Sequence, residues 1–514
     1  MTAAGTSSSA GRWARFVPLV RAEWTKFRTV RGWVAGLVVA ALLPVLMALL
    51  AGVSSDQRGA PPVPTGPGGV PVTDSFYFVH RPLAGDGSVS VSVSALTSGV
   101  PAGPRDLEPG VVPWAKAGLV VRESTRQGSP YAAIMVTRGH GVRMQDDFVN
   151  DTALPGTDSA ASPASPEAAA SVRGLRLDRA GDTVTGYASA DGTHWTKVGT
   201  VRLRGLGHTA QGGLFVASPP AVDGRGTRGS VSTAVFGDLR VGGQWAAGDW
   251  TGDQVGAGSP TFAGYPANTS GSVTESDGRF TVTGAGDLAP AVRETLPTGG
   301  TLGDLLTGTF AALIVVVVVG VLFITTEYRD NLIRVTLAAG PLRSRMLLAK
   351  ATVLGGVTFA AGLTGSALAI PLGERLARHS GVFVFPVTSG TGLRVALGTA
   401  ALLAAASVLA LCVGTVLRRG AGAVACVVVA VVLPYLLIAN PFLPAGMADR
   451  LARVTPAAAF AVQQTLVRYP QVTSVYTPYD GYYPLAPWAG LAVLAGYAVA
   501  GLAAAALVLR RRDA

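Results

Sequence analysis

The chain has 514 residues, too many for one compact core, so two or more folding units are expected. Only 14% of the residues are charged and the mean hydropathy is +0.41, which excludes an ordinary soluble composition and indicates a membrane protein. The formal charge of +11 does not imply nucleic acid, because arginines and lysines mostly flank apolar runs and no solvated basic groove with interleaved aromatics is visible.

The N-terminal segment, residues 1–32, is expected to hold an amphipathic helix over 14–32. Val17, Val20, Trp24 and Phe27 recur at i, i+3, i+7 and i+10, one stripe of a helix. Arg21, Lys26 and Arg28 lie off that stripe and are placed to reach lipid phosphates. A surface helix anchoring a bundle accounts for this chemistry, and contact with a partner would be an addition to it.

Residues 33–53 form the first of six apolar runs; the others are 305–325, 351–371, 395–417, 421–440 and 485–509. Each has the roughly 20 residues that a helix needs to cross about 30 Å of hydrocarbon. The interiors of these runs hold no acidic or basic residue. Sixteen arginines and lysines border them on one side against six in the two short loops on the other, so both termini are expected in the cytoplasm. The first run follows some 33 residues and outlasts a 7–15-residue signal-peptide core, which makes it a retained anchor in the cytoplasmic membrane.

Between the first two runs, a Pro/Gly-rich linker at 54–71 leads into a segment at 72–300 with short alternating patterns. Ser88-Val89-Ser90-Val91-Ser92-Val93-Ser94 has strict period two, as a half-buried strand requires. Further strands are expected over 118–122, 131–137, 175–178, 183–189, 197–203 and 213–217, with turns at Gly181-Asp182 and Asp191-Gly192. The expected fold is a membrane all-α bundle of six transmembrane helices, with a large all-β sandwich-like extracytoplasmic domain inserted between the first and second and the rest of the bundle at 301–514.

Nothing in this exported segment reads as a catalytic centre. His80, His140, His194 and His208 are scattered and accompany no metalloprotease, nucleophile-elbow or Cys–His pattern. Asp146, Asp147, Asn150 and Asp151 cluster, but without the glycine-punctuated spacing of a calcium loop. Cys412 and Cys426 lie within apolar runs and are expected as small buried hydrophobes. Gly355, Gly356, Gly362 and Gly365 in the third run would allow close helix approach, and Pro371, Pro386 and Pro434 would kink or end helices.

Two absences bear on energy. None of the four lysines (Lys26, Lys116, Lys197 and Lys350) follows a glycine, so the chain lacks the Gly-Lys of a phosphate-binding P-loop. The spans also lack buried ionisable groups of the kind that ion-coupled transporters use as relays. A transport reaction would then take its energy from another subunit.

Two resemblances follow from particular phrases. Glu327-Tyr328-Arg329-Asp330-Asn331-Leu332-Ile333-Arg334-Val335-Thr336-Leu337, then Ala339-Gly340-Pro341, Arg343, Arg345 and Lys350, resembles the loop pattern EYRxGTIRxTL…AxPxRxRxLxxK of ABC-2 type transporter permeases. Arg21-Ala22-Glu23-Trp24-Thr25-Lys26-Phe27-Arg28-Thr29 and Arg453-Val454-Thr455-Pro456-Ala457-Ala458-Ala459-Phe460 resemble the opening helix and an outer stretch of the same family. The resemblance implies an export permease subunit, not itself an enzyme. It also implies a homodimer or heterodimer of permease subunits with a separate cytoplasmic ABC ATPase subunit that binds the ATP. No cofactor is held by the chain itself. It further implies that Glu327, Tyr328, Arg329, Arg334 and Thr336 contact the ATPase through a short coupling helix, and that Arg21, Glu23, Trp24, Lys26 and Arg28 belong to an interfacial helix against membrane lipid. Asn331-Leu332 departs from the family's Gly-Thr, although Asn tolerates a left-handed backbone. Simple capping under the positive-inside rule explains the arginines but not Glu327 with Tyr328.

In the exported segment, Asp74–His80, Gly85-Asp86-Gly87, Trp114–Leu119 and above all Tyr187-Ala188-Ser189-Ala190-Asp191-Gly192-Thr193-His194-Trp195 resemble the concanavalin-like or laminin-G-like DUF1349 sandwich. The strand phrase Phe280–Asp287, which often opens that family, comes last here, so a permuted or second partial sandwich is expected, with the closing strand beside the opening one. The rival function is a membrane-anchored glycan-binding or sensing protein that works through the sandwich; one span would suffice to anchor it.

Overall fold

The computed structural model describes residues 10–54, 57–101, 107–154, 174–223, 226–256, 271–296, 298–329, 343–440 and 443–512. The chain divides into two compact units. One comprises Met1–Ala60, Thr298–Val467 and Tyr476–Ala514; the other comprises Pro61–Pro297 together with Arg468–Val475.

The first unit is helical. Helix α1 (Ala10–Thr29) is followed after one residue by α2 (Arg31–Ser54). Next come α3 (Leu302–Leu305), α4 (Gly308–Arg329), α5 (Arg343–His379) and α6 (Ser389–Leu417). The unit continues with α7 (Gly420–Val427), a π-helical turn over Val428–Val432, α8 (Leu433–Ile438), α9 (Ala445–Val454), a 3-10 segment over Pro456–Gln463 and α10 (Pro487–Arg512). Six stretches are long and apolar enough to cross a membrane: Arg31–Gly52, Gly308–Tyr328, Ser344–His379, Ser389–Leu417, Gly420–Ile438 and Pro487–Arg511.

The second and fourth of these stretches are the most enclosed, 67% and 61% buried. Their side chains Leu313, Val317, Leu403 and Leu411 form the middle of the core. Close approach there depends on glycine. A Cβ on Gly308 would lie 2.5 Å from the Leu43 carbonyl oxygen, one on Gly365 2.6 Å from that of Ala41, and one on Gly320 2.6 Å from that of Ser407. Of the four glycines expected to play this part, Gly362 and Gly365 do, Gly355 meets only a valine methyl, and Gly356 meets nothing within 4 Å. Pro371 lies inside α5 without ending it. Pro434, which has no N–H to donate, is the second residue past the π-helical turn, where the hydrogen-bond ladder is reset. Cys412 is buried as expected, but Cys426 is exposed on an outward helix face.

The chain leaving α2 and the chain entering α3 are both fastened to the turn after α5. Gln57 N donates to the Ser380 carbonyl at 2.8 Å and Gly300 N to that of Phe383 at 2.7 Å. Thr301 then caps α3 reciprocally with Asp304.

The second unit is a large, curled antiparallel sheet of sandwich type. Its central path runs β10 (Thr196–Arg202), β9 (Thr183–Ser189), β8 (Gly174–Ala180), β2 (Phe76–Pro101), β11 (Thr209–Ala217), β4 (Lys116–Arg122), β5 (Tyr131–Thr137), β6 (Gly141–Asp146) and β7 (Asn150–Ala153). The 26-residue β2 explains the curl, because its partners change along its length. Up to Ala84 it pairs with β11, and from Gly87 with β8. Gly85 takes a left-handed φ of 85° at the switch. β4 and β5 are buried along their whole length, with Leu119, Val121 and Ile134 on one face and Val120, Tyr131 and Met135 on the other. Such double burial erases the alternation that marked Ser88–Ser94.

The ends of this unit are neighbours. β1 (Val72–Asp74) pairs antiparallel with β18 (Leu288–Pro290), a short strand just past the Phe280–Asp287 phrase expected in this place. The Phe280–Asp287 phrase largely forms β17 (Arg279–Ala285), paired with β14 (Val231–Trp245). Both ends are fixed to β4 by buried ion pairs, Arg122 with Asp74 and Lys116 with Asp287, each 2.7 Å. The unit also gathers Arg468–Val475 from the far end of the sequence, beyond the expected 72–300 limits. There Gln471 donates to the Val149 carbonyl, and Glu294 accepts from Ser474 Oγ and Val475 N.

Candidate functional site: a buried ionic knot

Glu23 and Lys26 are three residues apart on α1 and therefore share a face. That face meets the last turns of α4, which carry Glu327, and the early turns of α5, which carry Lys350. Lys350 Nζ donates to Glu23 Oε2 at 2.7 Å and to Glu327 Oε1 at 2.6 Å. Lys26 Nζ donates to the same Glu327 oxygen. The side chains of Lys350 and Glu327 are 0% exposed, Glu23 9% and Lys26 31%.

Two ammonium groups and two carboxylates thus sum to zero charge, the condition under which burial of ions is tolerable. An aromatic wall completes the knot. Lys350 Nζ lies 5.0 Å from the Phe323 ring centroid, and Phe323 packs edge-on against Trp33 at 4.9 Å and against Phe27 at 5.7 Å. Glu327 Oε2 is buried with no hydrogen-bond partner. Burial, and then the neighbouring Lys350 charge, push the Lys26 ammonium down to about 8, against the pull of Glu23.

The residues singled out from sequence divide three ways. Glu23, Lys26 and Glu327 come together. Arg21, Trp24 and Arg28 are exposed on the other side of α1. The expected apolar stripe splits with them: Val17 is 44% and Trp24 45% exposed, while Phe27 is buried beside Glu23. The buried face of α1 is therefore part ionic, which an apolar-periodicity argument cannot see. Tyr328 takes a third position, with the Arg418 guanidinium 5.0 Å over its ring. Arg418 ends α6 with a left-handed φ of 54°. Arg334 and Thr336 lie outside the described residues, as does the Arg329 side chain.

The expectation that the spans lack buried charge needs correction. Glu327 and Lys350 lie within the second and third apolar helices, because those helices extend past the purely apolar runs. Lys350 was legible only as the last cation of the loop motif; its pairing joins elements 327 residues apart in sequence.

In the sheet unit the histidines occupy separate environments. His80 contacts Gln211 Oε1 and Asp253 Oδ2, both at 2.9 Å. His140 stacks on Trp114 at 4.0 Å, and its pKa is lowered by burial and then by Arg143. His194 pairs with Asp191 in the exposed Asp191-Gly192 turn, which lies between β9 and β10 as the hairpin phrase implied. The acidic cluster is engaged internally: Asp151 pairs with Arg143, Asp146 accepts from Asn150, and Asp147 accepts from Tyr131 N. Among the described residues no group of three or more His, Cys, Asp or Glu is placed to hold a metal ion.

The fold and site define a chain with six helices long and apolar enough to cross a membrane and a β-sandwich-like unit. No protein-family model matches it, and no curated protein does. Among solved structures, a functionally unknown protein from Saccharomyces cerevisiae is 13% identical over 37% of this chain and 84% of its own, with a TM-score of 0.22. An alginate lyase from Klebsiella pneumoniae is 15% identical over 30% of this chain and 59% of its own, with a TM-score of 0.17. Likenesses this distant carry no weight for the function of the chain.

Proposed function

We propose that the chain is the membrane subunit of an ATP-binding-cassette exporter of the ABC-2 type, with both termini cytoplasmic and ATP hydrolysed by a separate subunit. The observation that supports this reading best is the ionic knot. It ties the helix preceding the first span to the two helix ends that flank residues 330–342, the stretch that the motif resemblance assigns to ATPase contact. On this reading a push on that stretch is delivered to α4 and α5 together and to α1 through Glu23, rather than dissipated in one helix. The ion pairs supply a discrete arrangement that can be broken and remade.

The buried charge at Glu327 and Lys350 removes one argument against ion coupling, so the test must separate the two energy sources. Tagged chain is purified from native membranes in mild detergent and its partners are identified by mass spectrometry. Glu327, expected at the ATPase contact, is 0% exposed and can act there only through the knot, so the contact is tested at Arg334: a Walker-type ATPase that copurifies, and is lost with Arg334→Ala, supports the exporter. Full recovery of the chain without an ATPase overturns it, and a glycan retained through the sheet unit would favour the binding-protein alternative.

A further inference from the structure

Helix α9 (Ala445–Val454) has a division of its surface that the exporter reading does not use. Ala448 and Ala452 are buried against Ile438 and Ala457, so two small residues seat the helix on the end of the fifth apolar stretch. The Tyr497 hydroxyl donates to the Val454 carbonyl at 2.9 Å and ties its last turn to α10. The opposite side is open. Met447 is 50% and Val454 62% exposed, and Arg450 and Arg453 are exposed beside them.

At about 100° per residue, Leu451, Met447 and Val454 fall within about 60° of one another around the helix. Arg450 follows about 40° further round and Arg453 about 60° beyond it. The open surface therefore grades from apolar to cationic, and Asp449, half-buried, lies past Arg453 toward the seated side. In water an exposed Met–Val edge is a cost without return. An edge of this kind beside two arginines suits the boundary between acyl chains and phosphates. The neighbouring surface agrees: Val429, Leu433 and Leu436 on the fifth stretch and Tyr497 and Val499 on the sixth are exposed apolar groups of the bundle that α9 sits against.

We propose that α9 is an interfacial helix that binds anionic phospholipid, with Met447 and Val454 in the acyl region and Arg450 and Arg453 on headgroup phosphates. This needs only the membrane reading of the six apolar helices and stands or falls independently of the ATPase partner.

The test uses the full-length chain with Cys426→Ala and Met447→Cys, labelled with bimane and reconstituted into vesicles of phosphatidylcholine and phosphatidylglycerol. Bimane should be quenched by brominated acyl chains and shielded from aqueous iodide. Brominated phosphatidylglycerol should quench more than brominated phosphatidylcholine at equal content. Arg450→Gln with Arg453→Gln should lower that preference by about fivefold or more, and Arg450→Lys with Arg453→Lys should keep it. Quenching by iodide and not by bromolipid overturns the proposal, because the face is then in water. Quenching by neither overturns it in favour of a protein partner, and equal quenching by the two lipids overturns the phosphate assignment.

Discussion

Replacing Lys350 by Met is the sharpest test of the ionic knot. The substitution keeps most of the side-chain volume and removes the donor that Glu23 and Glu327 share at 2.7 and 2.6 Å. Two carboxylates, 9% and 0% exposed, are then left with Lys26 as their remaining knot cation. Stripping one partner from a buried ion pair costs about 3–5 kcal/mol, far more than an exposed pair is worth. Glu327→Gln keeps an acceptor for Lys350 and should cost less, about 1–3 kcal/mol. Combined, the two changes remove one charge of each sign, so the double variant should be better than the sum of the singles by about 1–3 kcal/mol. A global melting curve would mix the two units. The readout is therefore amide hydrogen exchange of α4 and α5 in the purified full-length chain, which reports local opening free energies. A Lys350→Met effect below about 0.5 kcal/mol, or strict additivity with Glu327→Gln, would refute the reasoning.

Lys26 gives a pH test. Its folded value of about 8 lies below the ordinary 10.5, so the penalty for burying its charge is full below 8 and gone above 10.5. Stability should therefore rise with pH across that window while the Lys26–Glu327 pair fades, and Lys26→Arg should flatten the rise in the resistance of the helical unit to proteolytic cleavage measured from pH 7 to 10. Glycine packing predicts a contrast: Gly308→Ala, whose Cβ would meet the Leu43 carbonyl at 2.5 Å, should lose about 1–3 kcal/mol. Gly356→Ala, with nothing within 4 Å, should be neutral or gain up to about 1 kcal/mol, both read from amide hydrogen exchange of the helices that carry them. In the sheet unit Arg122→Met strands the fully buried Asp74 and should cost about 3–5 kcal/mol, with Asp74→Asn in the same chain recovering part of it in a double-mutant cycle.

The six apolar helices were legible because helices of that length and hydropathy leave long unbroken apolar runs in the sequence, and each of the six runs lies largely within one of them. Strands were legible from their own side chains: 183–189, with one half-exposed face, coincides with β9, and the apolar run at 131–137 coincides with the doubly buried β5. What escaped was set by partners distant in sequence. Val231–Trp245, 15 residues long, is a strand because β2 and β17 flank it, and its burial alternates only in its first half. Arg468–Val475 joins the sheet unit through a few hydrogen bonds and has no strand pattern to announce it. In α1 the inward face combines Glu23 with Phe27, so a search for apolar stripes chose Trp24, which is exposed.

The knot is informative because of what it is not needed for. Phe27, Trp33 and Phe323 already pack together beside it, and three helix ends could be held by apolar contact alone at equal or lower cost. Charges at that position make the contact conditional. An apolar seam tolerates small sliding with gradual loss, whereas Lys350 between two carboxylates is either placed for both or leaves one buried and unpaired. The unpartnered Glu327 Oε2 supplies a second acceptor site to which a displaced ammonium could transfer without passing through water. Such a site would let α1 shift against α4 between two paired states. A Glu327→Asp variant tests this, because it keeps the charge and shortens the reach by one methylene. If the knot only clamps, Asp should weaken exchange protection in α1 and α4 without creating a second state. If it switches, relaxation measurements on α1 should show two-state exchange in the native chain that Glu327→Asp suppresses.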